Sequence, residues 1–320
     1  MKIENAIPID VNDIKFDSKT PKTLIIVGSL NSIPFQKSKI LIDTFPECFN
    51  LKIEEMTPFE WQIYKSSSIP KLNVHSEAIV FYDNEYLAVA EFVEIVDKQY
   101  GITDSRPETL YKAMSNAAMT NYYNLKENTI VSLEMKSGEE NIGKLTLELF
   151  DKICPKTIQN FKNFIKGCSI PSIAPEILKY SGTLIHRVSK NAFIQGGGMS
   201  TYYTGKDIIS SGGNNNLSSF GNLFEGNDVI SIDKDENFIG KHNQRGIISM
   251  ANCGPHSNGS QFIIDLKSQP SFDKRYVVFG RIIDGCETLE KVENVKVDDY
   301  ERPIINLAIG NTEIVYECNK

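Results

Sequence analysis

The chain has no apolar run long enough to cross a bilayer. Its longest, such as Leu24–Val27 and Ile79–Phe81, are strand-sized, against about 20 residues for a spanning helix. It lacks a charged-then-apolar leader, so a cytoplasmic, reducing setting is the expectation. A basic excess is missing too: the net charge of −7 leaves no footprint for phosphates and argues against nucleic acid. Six scattered cysteines (Cys48, Cys154, Cys168, Cys253, Cys286, Cys318) form no Cys-x-x-Cys pair and no Cys/His spacing that suits zinc. They read as small intracellular hydrophobes, and neither metal nor cofactor is expected. No lysine follows Gly196-Gly197-Gly198, which excludes a phosphate loop and leaves a tight strand exit. The glycosylation-type triplets at Asn216 and Asn258 carry little weight without secretion.

What is present is enough for two ordinary cores: 320 residues, 41% hydrophobic and 23% charged. Residues 1–20 are polar and aperiodic and read as an arm. From 21 to 103, strand and helix patterns alternate. Thr23–Val27 is a β-branched run, and Gly28–Pro34 is turn-like. Phe35–Thr44 has helical spacing, Leu51–Met56 alternates, and Pro58–Tyr64 opens a helix. Ala78–Tyr82 and Tyr86–Ala90 flank a hairpin signal, and Glu91–Tyr100 is a helix stopped at Gly101. The order β-α-β-α-β-β-α implies a small α/β layer and resembles a thioredoxin or glutaredoxin fold. Where those families carry a cysteine pair, this chain has Ser32-Ile33-Pro34-Phe35, so thiol–disulfide exchange is excluded there. A docking module is the expectation for this half, with Trp61 in its core and His75 in a loop. Residues 104–128 read as a helical connector, Pro107–Thr120 being the helix.

The second half, 129–317, reads as mostly β with two helices. Ile130–Met135 and Gly143–Leu149 form a hairpin, and a proline-led helix follows from Cys154-Pro155-Lys156-Thr157 with apolar Ile158, Phe161 and Phe164 on one face. Strands are expected at Gly182–Arg187, Phe193–Gln195, Gly246–Met250, Gln261–Leu266, Val277–Ile282 and Ile304–Val315, with a second helix at Thr288–Val292. Two segments stand out. One holds His186-Arg187-Val188 and Phe193-Ile194-Gln195-Gly196-Gly197; the other holds Ser249-Met250-Ala251-Asn252 and Ser257-Asn258-Gly259-Ser260-Gln261-Phe262. Together they resemble the catalytic face of cyclophilins, the family of peptidyl-prolyl cis–trans isomerases. The resemblance implies an eight-stranded antiparallel barrel capped by two helices, filled with side chains, so that substrate binds the outer wall.

The chemistry this implies can be argued from the X–Pro bond. Rotation is resisted by about 18–20 kcal/mol because nitrogen shares its lone pair with the carbonyl. A fixed guanidinium that hydrogen-bonds this lone pair in the twisted state helps only as the bond rotates, the condition for lowering a barrier. By resemblance Arg187 takes this role, Gln195 holds the carbonyl, the Asn252 backbone pins the residue before proline, and Gln261 supports the site. Ala192, Phe193, Ala251, Ile263, Phe272 and Tyr276 would line the proline slot. His186 reads as a structural histidine; His242 and His256 are placed in loops without a role. The pattern departs from the family at Ala192, Ile263, Ser271 and Tyr276, where larger aromatics, a tryptophan and a histidine are usual. Each loss of a ring costs about 1–3 kcal/mol of binding, which implies a slow isomerase or a binder.

Three loop-like insertions, near Cys168–Glu176, within Met199–Ser219 and near Gly226–Lys234, are candidate partner contacts, as is the first domain. The whole-chain pattern, including Glu301-Arg302-Pro303-Ile304, resembles one branch of the family, the peptidylprolyl isomerase-like six group. That resemblance implies proline-containing protein clients and, as an alternative, a structural role in a ciliary axoneme, radial-spoke-type assembly.

Overall fold

The computed structural model describes residues 7–8, 22–43, 49–68, 77–82, 85–170, 174–199 and 235–318. The chain divides into two compact units, Met1–Leu125 and Lys126–Lys320.

In the first unit a five-stranded mixed sheet carries the core. Its strands are β1 (Ile7–Pro8), β2 (Lys22–Ser29), β3 (Phe49–Met56), β4 (Ala78–Tyr82) and β5 (Glu85–Ala88), in the order β1-β5-β4-β2-β3. β2 runs parallel to β3 and antiparallel to β4, as the β-branched run Leu24–Val27 buried on both faces leads one to expect. One face packs on α1 (Ile33–Asp43) and α3 (Val89–Tyr100) through Leu24, Ile26, Phe35, Leu41, Val80, Phe92 and Val96. The other face buries Trp61, from α2 (Pro58–Ser68), against Ile25, Val27, Ile79 and Phe81.

Local chemistry sets the ends. Thr57 and Glu60 form a reciprocal cap on α2, the Glu60 N–H donating to Thr57 Oγ1 (3.2 Å) and the Thr57 N–H to the Glu60 carboxylate (2.9 Å). Ser32 caps α1 by accepting from the Phe35 N–H at 3.1 Å. Pro34 therefore lies inside the first turn of that helix, where its missing N–H is harmless. This corrects the turn expected through Gly28–Pro34: strand continues to Ser29 and helix starts at Ile33. The hairpin's second strand stops at Ala88 rather than Ala90, because the Glu91 carboxylate accepts from the Ala88 N–H (2.9 Å) and starts α3 at Val89. The arm expected over 1–20 supplies β1, which pairs in parallel with β5. The connector helix is longer than the sequence suggested: α4 spans Glu108–Lys126. His75 and Cys48 lie outside the described residues.

The second unit is an eight-stranded antiparallel sheet. In chain order its strands are β6 (Thr129–Ser137), β7 (Glu140–Leu149), β10 (Ile185–Ser189), β11 (Phe193–Gly196), β12 (Ile247–Met250), β13 (Phe262–Asp265), β14 (Val278–Asp284) and β15 (Leu307–Tyr316). The sheet order is β10-β11-β13-β12-β14-β7-β6-β15, and the sheet curls until its two ends meet at a bridge between Leu184 and Ala308. Two helices, α5 (Pro155–Lys166) and α6 (Cys286–Glu293), pack on it. α5 sends Phe161 and Phe164 inward, and these meet Tyr180, Phe262 and Phe279 at ring-centroid distances of 4.8 to 5.7 Å. The Tyr180 hydroxyl donates to the Ser260 carbonyl at 2.6 Å, so the buried polar atom is satisfied. The inside of the curl is thus filled by rings, which leaves the outer wall for any ligand.

Several boundaries differ from the sequence reading. The strand expected at Gly182–Arg187 is Ile185–Ser189, and the closing strand begins at Leu307 rather than Ile304. The first insertion carries a small hairpin, β8 (Cys168–Ile170) with β9 (Ala174–Leu178), where a loop was expected. The insertion within Met199–Ser219 beyond Met199, and that near Gly226–Lys234, lie outside the described residues. Among the described residues no helix is long and apolar enough to cross a membrane, and no cluster of His, Cys, Asp or Glu suits a metal ion.

α6 sits tightly on β7 at Gly143, whose φ of +132° disfavours an L side chain and where a Cβ would run into Thr288. Gly143→Ala should therefore destabilise the second unit by about 2 kcal/mol or more. Thermal unfolding would show this as a lowered melting temperature; an unchanged one would mean that α6 can retreat at no cost.

Candidate functional site

The outer wall over β10, β11 and β13 gathers the candidate residues, and a β-bulge decides how. Along β10 the register with β11 slips between Ile185, opposite Gly196, and Arg187, opposite Gln195, so His186 is an extra residue. Without it Ile185 and Arg187, two apart, would share a face. With it Ile185 stays in the core at 2% exposure, while the Arg187 side chain is 47% exposed on the outer wall. Burial lowers the His186 pKa to about 4, so this ring at the bulge is neutral at physiological pH.

From that position Arg187 faces Gln195 across the ladder, and Gln195 in turn faces Ile263 of β13. The Gln195 amide donates to Gln261 Oε1 at 2.7 Å, and Gln261 is fully buried, so one amide fixes the other. The guanidinium carbon of Arg187 lies 4.9 Å from the Phe193 ring centroid, and its Nε donates to Glu301 Oε2 at 2.7 Å. The structure therefore brings Arg187 and Gln195 together on the outer wall, with the buried Gln261 bonded to Gln195 behind them.

An apolar wall stands beside them. Phe193 meets Phe272 edge-on at 5.5 Å, and Phe272 meets Tyr276 at 5.0 Å. Phe272 belongs to a short 3₁₀ turn, Pro270–Phe272, that swings its ring over the sheet. Ala192 is half-buried and accepts from the Gln269 amide (3.0 Å) and the Leu266 N–H (2.9 Å) through its carbonyl; Ala251 and Ile263 are buried. Asn252 uses both ends of its side chain, its amide donating to the Arg275 carbonyl at 2.8 Å and its Oδ1 accepting from the Gly254 N–H of its own loop at 3.3 Å.

Three residues at the site escaped the sequence reading. His242, expected in a loop without a role, is fully buried and packs against Phe272 (5.7 Å) and Tyr276 (6.5 Å). Its main-chain N–H and Nδ1 both face Asp273 Oδ1 (2.9 and 3.2 Å), which ties the ring wall to the sheet. Burial pushes its pKa down against the pull of Asp273. Glu301 was noted as part of a motif but not as the partner of Arg187. Asp265 is the most unusual. It stands opposite Phe193, is 0% exposed, and neither carboxylate oxygen has a hydrogen-bond partner among the described residues. A lone acid inside the apolar run Phe262–Leu266 was the available signal. Burial, and secondarily Asp273, raise its pKa to about 8.

Comparison with known proteins follows this geometry. Residues 130–314 match the family described as cyclophilin type peptidyl-prolyl cis-trans isomerase/CLD. The mouse protein named probable inactive peptidyl-prolyl cis-trans isomerase-like 6 is 30% identical over 95% of this chain and 94% of its own. The human protein of the same name is 31% identical over 89% of each chain. Peptidyl-prolyl cis-trans isomerase H of Mycosarcoma maydis is 38% identical over 50% of this chain and 90% of its own.

Asp265 yields a stability test. An acid with a raised folded-state pKa makes the folded state bind the proton that the unfolded chain gives up, so stability falls as pH rises from about 4 to about 8. Asp265→Asn removes that dependence. The variant should be more stable than wild type at pH 8, by a few kcal/mol, and match it near pH 4. A wild type that is no less stable at pH 8 than at pH 5, relative to the variant, would show Asp265 to be ionised and paired.

Proposed function

Because the chain belongs to the cyclophilin-type peptidyl-prolyl cis-trans isomerase family, we propose that its outer wall binds X–Pro segments of protein clients and speeds their isomerisation slowly. The observation that carries this reading is the bulge-directed Arg187, opposite Gln195 and beside the Gln195–Gln261 pair, with its Nη groups making no hydrogen bond among the described residues. In this reading a prolyl ring rests against Phe193, Phe272, Tyr276 and Ile263. The Asn252 main chain holds the preceding residue. Gln195 receives the carbonyl side, and an Arg187 Nη–H donates to the prolyl nitrogen as the peptide twists. That bond costs little in the planar ground state and strengthens as conjugation is lost. No proton leaves any residue, which agrees with a neutral His186.

The pocket has changed hands rather than disappeared. Ala192, Ile263 and Ser271 supply little ring surface, while Phe193, Phe272 and Tyr276 form a continuous edge-to-face wall. Clients would therefore dock in a slot of altered shape.

A second reading is a non-catalytic subunit that holds a proline segment inside a larger assembly, such as the ciliary one that the resemblance implies. It draws on the small residues at Ala192, Ile263 and Ser271, and on the word inactive in the names of the mouse and human relatives. The first unit, by its order β2-α1-β3-α2-β4-β5-α3 and parallel β2–β3 pair, supports a thioredoxin-like layer. Lacking a cysteine at Ser32–Phe35, it would serve as a docking module.

Magnetisation exchange on an X–Pro peptide separates the two readings, because uncatalysed exchange takes tens of seconds. Full-length protein should accelerate it, and Arg187→Ala should slow it by about tenfold or more. Arg187→Lys should restore little, since an ammonium lacks the planar fork. Chemical-shift perturbation of the peptide without any Arg187-dependent acceleration would leave the binding subunit.

A further inference from the structure

We propose that Glu301 is a positioning residue that clamps the Arg187 guanidinium in the orientation the site uses. The inference rests on the isomerase reading above and starts from a backbone outlier. Glu301 has φ +63°, a left-handed conformation that glycine adopts freely and an L residue adopts against a steric penalty. Such a residue persists where its surroundings over-determine it, and here they can be named. Asp298 gathers the turn: its Oδ1 accepts from the N–H groups of Tyr300 and Arg302, both at 2.9 Å, and its Oδ2 from Arg302 Nε at 2.9 Å. The Glu301 N–H donates to the Asp298 carbonyl (3.0 Å), the Asp298 N–H to the Arg302 carbonyl (2.9 Å), and Val297 bridges Pro303. Glu301 is thus the apex of a turn braced on its own.

That apex is fastened to β10 in three places. The Val188 N–H donates to its carbonyl (2.8 Å), the Ser189 hydroxyl to its Oε1 (2.6 Å), and Arg187 Nε to its Oε2 (2.7 Å). The carbonyl bond alone would dock the turn, and glycine would make it without strain. The carboxylate is what the strained position adds, and it takes hold of the guanidinium edge nearest the backbone. The Phe193 ring lies beneath the guanidinium, its centroid 4.9 Å from Cζ. With Nε held and the ring beneath it, the two Nη groups are the donors left for a ligand. An exposed arginine otherwise spreads over many rotamers, and ordering it on binding costs free energy. The clamp pays that cost beforehand, which is how positioning lowers a barrier.

Glu301→Gly separates this role from a structural one, because it keeps the carbonyl bond and suits φ +63°. In full-length protein with ¹⁵N-labelled arginine, the Arg187 Nε–H resonance, assigned by its loss in Arg187→Lys, should be shifted downfield and protected from exchange. Glu301→Gly should abolish that signature, leave the melting temperature near wild type, and lower kcat/KM for X–Pro exchange by about tenfold. Glu301→Gln, which can still accept a hydrogen bond, should fall between. An unaltered Arg187 signal in Glu301→Gly overturns the proposal, as does a variant that isomerises as fast as wild type. If wild type accelerates nothing, the isomerase reading falls alone. The clamp is then judged by the Nε–H signal and by X–Pro peptide affinity, which Glu301→Gly should weaken.

Discussion

One extra residue in an edge strand decides what this outer wall can do. A strand alternates faces with a period of two, so the parity of β10 fixes whether position 187 points to the aromatic core or to solvent. The bulge at His186 shifts that parity once, and everything beyond it follows: Ile185 inside, Arg187 outside, Val188 inside at 1% exposure, Ser189 outside and within reach of Glu301. A guanidinium forced inward would enter the buried core that Ile185 and Val188 join, at the desolvation cost of a buried charge. The bulge is thus the constraint on which the site and its clamp both depend. The buried, uncharged imidazole of His186 is the residue that occupies it.

Much of this was legible in the sequence, and what was not has physical causes. Long segments with a single period came through well: the buried run Leu24–Val27, the hairpin at residues 130–149, and the proline-led helix at Pro155. Boundaries moved where capping overrides periodicity. Ser32 and Glu91 each started a helix earlier than apolar spacing suggested, and Pro34, which reads as a turn signal, fits the first turn of α1. The candidate site was legible as a set of residue types at known spacing. Contacts between residues far apart in the chain were not. His242 lies some thirty residues from the rings it supports, and Glu301 more than a hundred from Arg187. No local pattern marks such pairs. Glu301 could be flagged as a charged residue in a turn, but not as one held at positive φ.

Two departures from local rules lie at the site. Asp265 is buried without a hydrogen-bond partner among the described residues on the strand that also carries Ile263, and Glu301 is strained beside Arg187. Departures from local rules at a cost in stability are expected where a surface has been kept for a ligand rather than for folding. Asp265 stands opposite Phe193, the ring beneath the Arg187 guanidinium that Glu301 holds, and this is an argument for a retained binding face that does not depend on activity.

Whether that face isomerises or merely holds comes down to which contacts change as the peptide twists. In the proposed mode the ring wall of Phe193, Phe272 and Tyr276 would touch a prolyl ring equally in planar and twisted states. Enlarging it deepens binding without lowering the barrier. The prolyl nitrogen is different, because its lone pair becomes available only out of plane, and in the proposed mode Arg187 is the cation that would stand beside it. Losses at Ala192, Ile263 and Ser271 therefore weaken clients' affinity first. In the proposed mode catalysis would depend on the orientation of a single side chain. A chain can accordingly keep a good proline-binding groove while losing turnover, or keep turnover in a poor groove, and the fate of the guanidinium separates the two.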